Sequence, residues 1–129
     1  MKSIGEASKL SGINIETIRY YEREGIVARP LRSDSGRRLY KANDIAQLRF
    51  IRRSRDLGFS LADVRVLADL RQRENATCSE AQVIGEKHLE QVRAKIADLR
   101  DLETALVKLI GRCKSGDPRC GMLGELFSD

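Results

Sequence analysis

Three cysteines, Cys78, Cys113 and Cys120, are the residues of this 129-residue chain whose type and spacing suit metal chemistry. Thiolates bind soft or borderline metal ions best. Cys78 stands where a long helical pattern begins, Cys113 stands where it ends, and Cys120 follows a polar turn at 114–119. One continuous helix would hold Cys78 and Cys113 roughly 50 Å apart. Two chains with antiparallel helices would instead bring Cys78 of one beside the other two cysteines of the second, which predicts a metal site shared between subunits.

Several chemistries fit these thiols. Three thiolates suit Hg(II), Pb(II) or Cd(II), and they suit Zn(II) when a fourth ligand is added. Cys113 and Cys120 alone suit linear binding of Cu(I), Ag(I) or Au(I), and a disulfide between them would serve a redox sensor. Each cysteine is also compatible with the role of a small buried hydrophobe. The single histidine, His88, is interpreted as a surface or interface residue rather than a ligand.

The segment between the first two cysteines must position these thiols, and it carries a coiled-coil seam. Its apolar residues recur in steps of three and four. They are Leu89, Val92, Ile96, Leu99, Leu102, Leu106 and Leu109. A solitary helix cannot bury such a stripe, so residues 80–112 are predicted to pair two chains. The seam alone permits parallel or antiparallel pairing, and the cysteine placement favours antiparallel pairing.

Composition and charge restrict the class of protein. One third of the residues are charged (33%), and no apolar run approaches the length of about 20 residues that spans a bilayer, so no membrane protein is expected. An odd number of cysteines without a signal-peptide pattern predicts a reducing cytoplasm. Residues 1–60 carry a net charge of +6 and residues 61–129 a net charge of −1, so the first half is expected to meet a polyanion. No constellation of catalytic residues indicates an enzyme.

The first 25 residues have the pattern of a helix, a turn and a second helix. Ser3 and Glu6 form a capping box at the start of the first helix, and Gly12 interrupts it. Asn14 caps the second helix and Gly25 ends it. Such a pair either places its second helix in a DNA groove or forms an ordinary helical hairpin.

A β-hairpin is predicted over residues 26–40. The turn-forming run 33–36 separates two short β-prone pieces. Four arginines gather around it: Arg29, Arg32, Arg37 and Arg38. Because an isolated hairpin is not stable, it must lean on the helices, where it would serve as a basic wing that contacts phosphates. Two further helices follow, one capped by Asn43 and ended by Gly58, the other capped by Ser60.

Three motifs together resemble the MerR family of bacterial transcription regulators. They are TIRYYEREGI at 17–26, GRRLY at 36–40 and IRRSRDLGFS at 51–60. The resemblance covers essentially the whole chain. The three cysteines are similar to the ligands of the divalent heavy-metal branch of the family. Monovalent sensors of this family carry serine at the position of Cys78, so the resemblance favours a divalent ion.

This resemblance implies a mainly α-helical fold in three regions. Residues 1–75 would form a winged helix-turn-helix head with a small β-hairpin wing, and residues 76–112 a dimerisation helix in an antiparallel coiled coil. Residues 113–129 would form a metal-binding loop with a helical turn. The resemblance also implies a cytoplasmic homodimer that binds a palindrome in double-stranded promoter DNA and acts on RNA polymerase. In this family, metal binding bends and untwists a promoter with an overlong spacer, whereas the metal-free protein represses it.

The resemblance carries DNA contacts onto the second helix, the wing and the third helix. The residues are Thr17, Arg19, Tyr20, Arg32, Arg37, Arg38, Tyr40 and Arg55. Tyr40 is equally compatible with a core position, whereas Tyr21 is expected in the core. Two positions depart from the family pattern, since Gly121 stands where relatives often carry proline and Arg37 stands where an aromatic is common.

The function expected from these features is a metal-responsive regulator of a heavy-metal resistance operon. It would activate the operon when Pb, Cd, Hg or Zn is bound. A sensor of Cu(I), Ag(I) or Au(I) with the same fold is the first alternative. A regulator that responds to redox state or to an organic ligand, without a metal, is the second.

Overall fold

The computed structural model describes residues 1–73, 75, 77–113 and 120–128, and the chain divides into two compact units, residues 1–81 and 82–129. The elements are α1 (Ile4–Ser11), α2 (Ile15–Arg23), β1 (Leu31–Arg32), β2 (Arg38–Leu39), α3 (Ala42–Asp56), α4 (Leu61–Gln72), α5 (Cys78–Ile110) and α6 (Gly121–Phe127). The mainly helical fold with a small hairpin and one long helix is confirmed. The three predicted regions stay predictions. No helix within the described residues is both long and apolar enough to cross a membrane.

Caps and one glycine divide residues 3–25 into two helices. The Ser3 Oγ accepts a hydrogen bond from the backbone N–H of Glu6 at 3.2 Å, and the Glu6 carboxylate accepts one from the Ser3 N–H at 3.4 Å. Gly12 ends α1 with φ of 78°, a left-handed conformation that favours glycine. Asn14 then caps α2 by accepting the N–H of Thr17 at 2.8 Å. The predicted pair of helices is therefore present, with both caps as expected.

The wing is a two-stranded antiparallel hairpin in which Arg32 lies opposite Arg38. Gly36 has φ of 84° in the connecting turn, so the predicted turn is confirmed. Lys2 and Tyr40 exchange two backbone hydrogen bonds, of 2.9 Å and 2.8 Å. Because a two-stranded ribbon is marginal on its own, this bridge stabilises the wing by joining it to the segment that starts α1.

The third helix begins earlier than the sequence suggested. The prediction that Asn43 caps α3 is wrong, because Asn43 lies inside the helix and Lys41 occupies the cap position. The carboxylate of Asp44 accepts the N–H of Lys41 at 2.9 Å, so an acid in the first turn, and not a side chain at the cap position, holds the start of α3. Ser60 caps α4 as predicted, accepting a backbone N–H three residues further on at 3.1 Å.

The core of the first unit lies among α2, α3 and α4, with α1 against α3. Its largest fully buried side chains are Ile18, Leu48 and Val64, one from each of those three helices. Ala7 of α1 is also fully buried, and its small side chain allows close helix packing. This core fixes one face of α2, which determines which residues α2 leaves on the surface.

The second unit contains most of α5 together with α6. No residue of α5, a helix described over its whole length, is buried. Five of its seam residues are between 43% and 64% exposed: Leu89, Ile96, Leu99, Leu102 and Leu106. On α6, Leu123, Leu126 and Phe127 are also exposed. The chain by itself therefore leaves an apolar stripe in water, as the seam in the sequence predicts for an unpaired helix.

Candidate DNA-binding face and cysteine pair

The second helix has one buried and one accessible face. Tyr21 is 8% exposed and packs in the core, as expected. On the accessible side Tyr20 is 41% exposed, and Thr17 and Arg19 are half-buried. Arg19 Nη1 donates to the carboxylate of Glu16 at 2.7 Å, in a pair that is open to solvent. Exposed pairs of this kind contribute little stability, so the guanidinium can exchange this carboxylate for another acceptor.

The wing places further arginines at its tip. Arg32 and Arg37 are exposed. Arg32 Nη1 donates to the carbonyl of Gly36 at 2.7 Å, which holds its guanidinium against the turn. Guanidinium groups in this position are suited to phosphate oxygens, which they bind through several donors in one plane.

A buried carboxylate joins α2 to the wing. Glu22 is 7% exposed, and its two oxygens accept from the Tyr40 hydroxyl at 2.5 Å and from Arg38 Nε at 2.7 Å. Burial raises the pKa of Tyr40, and the hydrogen bond to Glu22 raises it further. Tyr40 is only 2% exposed, which favours the core alternative for this residue. Sequence reasoning missed Glu22, although an acid on the core face of α2, beside Ile18 and Tyr21, was an available signal.

Arginines of α3 and α4 bond to carbonyl groups at the ends of other elements. Arg49 Nε donates to a carbonyl in the last turn of α1 at 3.0 Å, and Arg52 Nη1 donates to the carbonyl of the residue that caps this helix. Arg65 Nη2 donates to the carbonyl that follows α2. Arg55, a predicted DNA contact, is exposed and donates to the carbonyl of Phe59 at 2.7 Å. The bonds of Arg49, Arg52 and Arg65 satisfy carbonyls at the C-terminal ends of α1 and α2, a role that the sequence did not reveal.

Cys113 and Cys120 lie together in the second unit, with their sulfur atoms 3.6 Å apart. Cys120 occupies the cap position of α6, and its sulfur accepts the backbone N–H of Leu123 at 3.5 Å. This bond, with the contact to Cys113, lowers the pKa of Cys120. The same contact raises the pKa of Cys113. Both cysteines are exposed, so a metal ion has access to the pair.

A close backbone contact supports this pair. A Cβ at Gly121 would lie 2.5 Å from the carbonyl oxygen of Arg112 and 2.9 Å from its Cβ, distances that real side chains do not adopt. Arg112 Nε also donates to the carboxylate of Glu125 at 2.9 Å. Gly121, which departs from the family pattern, therefore permits α6 to pack directly against the residue that precedes Cys113.

The third cysteine lies in the other unit. Cys78 is the first residue of α5 and is exposed. Within residues 1–73, 75, 77–113 and 120–128, no three His, Cys, Asp or Glu side chains gather in a way that could hold a metal ion. The structure thus brings Cys113 and Cys120 together, and the inclusion of Cys78 in a shared site stays a prediction.

The spacing of the two sulfurs fits a tetrahedral ion better than a linear one. Two metal–sulfur bonds of about 2.3 Å span about 3.8 Å at a tetrahedral angle and about 4.6 Å in a straight line. The observed separation of 3.6 Å is close to the first value. Two sulfurs at this separation can bind one soft or borderline metal ion, which in tetrahedral coordination would need further ligands.

Comparison with known proteins gives consistent matches. Residues 2–70 match the family described as MerR HTH family regulatory protein, and residues 45–109 match the one described as MerR, DNA binding. Heavy metal-dependent transcription regulator 2 of Rhizobium meliloti (strain 1021) is 38% identical over 125 residues, covering 96% of this chain and 85% of that protein. The HTH-type transcriptional regulator ZntR of Escherichia coli (strain K12) is 39% identical over 114 residues, covering 88% and 81%.

Among solved structures, the transcription regulator PbrR691 from Ralstonia metallidurans CH34 in complex with lead(II) is similar to this chain. The TM-score is 0.84 with 37% sequence identity, over 98% of this chain and 99% of that one. The likeness therefore extends over both units of the fold.

Proposed function

This chain belongs to the MerR family of helix-turn-helix regulators, and from that premise we propose that it is a heavy-metal-responsive transcription regulator. The observation that carries the proposal is the pair of sulfurs 3.6 Å apart in a chain whose first unit is a winged helix-turn-helix. A relative described as a heavy metal-dependent regulator supports a heavy metal as the effector, and the similar protein solved with lead(II) supports a divalent ion, Pb, Cd, Hg or Zn. The sulfur spacing gives less support to linear Cu(I), Ag(I) or Au(I).

The DNA-binding face comprises α2 and the wing. Thr17, Arg19 and Tyr20 lie on the accessible side of α2, where a recognition helix meets base edges in the major groove. The wing and α3 supply four arginines for the phosphate backbone. They are Arg32, Arg37, Arg38 and Arg55. Tyr40, because it is buried, is proposed as a packing residue of the wing and not as a direct DNA contact.

The exposed seam of α5 supports dimerisation through this helix. A helix of 33 residues without a single buried side chain gains its burial from a partner, and a second copy carries the same stripe. Antiparallel pairing of two α5 helices would put the start of one helix near the end of the other. Cys78 of one subunit would then complete the site begun by Cys113 and Cys120 of the second. The ion, when bound, supplies strong bonds to the three thiolates.

Control of transcription would act through the shape of the DNA. Two heads joined by paired α5 helices hold two half-sites at a fixed spacing. A change in how the second units are joined can therefore alter the bend and twist that the heads impose on the DNA between them. We infer that the metal-free dimer represses a promoter of a heavy-metal resistance operon. The metal-bound dimer would distort the promoter so that RNA polymerase can use it.

A metal titration tests the sensing part of this proposal. The reduced protein is titrated with Hg(II), Pb(II), Cd(II) and Cu(I) while thiolate-to-metal charge-transfer absorbance is followed. We expect a band with the divalent ions that saturates at one ion per shared site. The absence of a band with all four ions would remove every metal-sensing interpretation and favour the redox or organic-ligand alternative.

Substitution of Cys78 by serine tests the shared site. We expect Cys78→Ser to reduce the divalent response of a promoter reporter while operator binding is retained, because this residue lies outside the DNA-binding face. Ser79→Ala, one residue away on the same helix, is the matched control and should respond as the wild type does. An unchanged induction by divalent ions in Cys78→Ser would contradict the three-thiolate site.

A further inference from the structure

The recognition helix buries one acid that the DNA-binding face does not use directly. The side chain of Glu22 is 6% exposed, in the middle of a region rich in arginine. A buried carboxylate is costly unless its oxygens are hydrogen-bonded or paired with a cation. Glu22 has both kinds of partner, and these two bonds offset the cost of burying its charge.

Both partners of Glu22 lie on the wing. One oxygen accepts the Tyr40 hydroxyl at 2.5 Å and the other accepts Arg38 Nε at 2.7 Å. Charge-assisted hydrogen bonds are short and roughly twice as strong as neutral ones. Arg38 lies in strand β2 and Tyr40 directly follows it. The carboxylate therefore holds the strand at two points and fixes its position relative to α2.

A cleft beside this network is lined mainly by arginines. It has a volume of about 220 Å³ and lies between α2 and the wing. Its lining residues are Glu22, Arg23, Arg29, Pro30, Arg32 and Arg38. The one acid in this lining is already neutralised by Arg38, so the cleft keeps a positive charge that suits an anion. The Glu22 bond uses Nε of Arg38, and the two terminal nitrogens of the same guanidinium carry further donors.

We infer that Glu22 is a positioning residue, which sets the wing and the Arg38 guanidinium so that this arginine-lined cleft receives a phosphate of the DNA backbone. The inference rests on the proposed function, since it assumes that α2 and the wing bind DNA together. It adds Arg23 and Arg29 to the residues that face the backbone. Glu22 itself acts through Arg38 and Tyr40 and does not touch the DNA.

Substitution by glutamine separates positioning from simple electrostatics. Glu22→Gln replaces one acceptor oxygen with an NH2 group, so the remaining oxygen can accept from only one of Arg38 Nε and the Tyr40 hydroxyl, and both bonds lose their charge assistance. The variant also removes a negative charge, which on electrostatic grounds alone would strengthen binding to DNA. Positioning and electrostatics therefore predict opposite signs for the change in affinity.

Asp56→Asn is the matched control. Asp56 pairs with Arg52 at 3.1 Å on the exposed side of α3, so this variant removes the same charge and disrupts a carboxylate–arginine pair outside the cleft. The probe is a duplex selected by the wild-type protein from a random-sequence pool. Affinity is measured over a range of salt concentrations, and thermal melting by circular dichroism checks the fold.

We expect Glu22→Gln to bind the selected duplex roughly tenfold more weakly than the wild type, with Asp56→Asn at wild-type affinity or tighter. The slope of log affinity against log salt should fall by about 0.9 for each phosphate that the variant no longer neutralises, or about 2 for the two heads of a dimer. A fold defect alone would lower the melting temperature without changing that slope. Binding by Glu22→Gln as tight as that of Asp56→Asn would overturn the inference.

Tyr40→Phe keeps the test decisive if Glu22→Gln does not fold. It removes one donor to Glu22 without changing any charge. We expect hydroxyl-radical protection at the wing phosphates to weaken while protection at the major-groove contacts of α2 is retained, and unchanged wing protection would again overturn the inference. If the wild-type protein selects no duplex at all, the proposed function fails, which is a different result from a failure of Glu22.

Discussion

Gly121→Ala tests whether the packing of α6 sets the geometry of the cysteine pair. A Cβ at this position would lie 2.5 Å from the carbonyl oxygen of Arg112, whereas ordinary contacts begin at 3.4 Å. The helix must therefore move by about 0.9 Å to admit one methyl group. Cys120 caps α6 and moves with it, while Cys113 follows Arg112 on the other side of the contact.

A shift of this size is large on the scale of metal coordination. Metal–ligand distances in functional sites lie within about 0.2 Å of their ideal values. The sulfurs are 3.6 Å apart, already near the span of a tetrahedral ion. Disturbing the groups that support metal ligands typically costs about 10- to 100-fold in affinity, and we expect a decrease in this range for Gly121→Ala.

The assay is competition for Cd(II) against a chromophoric chelator, with the thiolate charge-transfer band as an independent signal. Gly124→Ala is the matched control, because it adds the same methyl group to the same helix at a position where, among the described residues, no atom beyond the adjoining backbone lies within 4 Å. Both substitutions replace a glycine of α6 with alanine, so each also gains helix propensity. If Gly121→Ala binds Cd(II) as tightly as Gly124→Ala, the contact with Arg112 does not determine the site and our reasoning is refuted.

Four further predictions concern the head and the interface. Arg19→Ala should weaken operator binding in a mobility-shift assay with the dimer preserved, and wild-type affinity would show that α2 is not the recognition helix. Leu48→Ala, at a core position that is 1% exposed, should lower the free energy of unfolding by about 2–5 kcal/mol in urea. A decrease well below that range would mean that the site collapses around the smaller side chain. Leu99→Asp should separate the dimer in sedimentation experiments without lowering the melting temperature of the head, and a persistent dimer would move the interface away from α5. The pKa of Tyr40 is raised in the fold, so its contribution to stability is complete below about pH 10 and falls as pH rises above that value. Between neutral and strongly alkaline pH, the melting temperature of Tyr40→Phe should therefore decrease less than that of the wild type. An equal decrease in both proteins would contradict this prediction.

Local rules predicted much of the fold correctly. Ser3, Asn14 and Ser60 were recognised as caps, and Gly12 and Gly36 as turn residues, because each of these features depends on a few neighbouring residues. The start of α3 was predicted wrongly. Asn43 is a favoured capping residue and Lys41 is not, so the sequence pattern pointed to the wrong cap.

In the candidate site, too, features that depend on near neighbours were predicted from sequence, and contacts between distant residues were not. Sequence spacing paired Cys113 with Cys120 and separated both from Cys78, since a helix has a fixed rise. It did not reveal that Gly121 allows a backbone contact beside the pair, because that contact joins residues on two sides of a turn. It also left Tyr40 undecided between the core and the DNA.

The sequence by itself determined the helices, the wing, the exposed seam and the donor chemistry of this protein, because periodicity, capping and ligand softness are properties of residues and their near neighbours. Only the tertiary structure decided that Glu22 is buried between Tyr40 and Arg38, and that arginines of α3 and α4 bond to the ends of α1 and α2. Those bonds join residues far apart in the chain. Their energies depend on burial and distance, which exist only once the helices have packed.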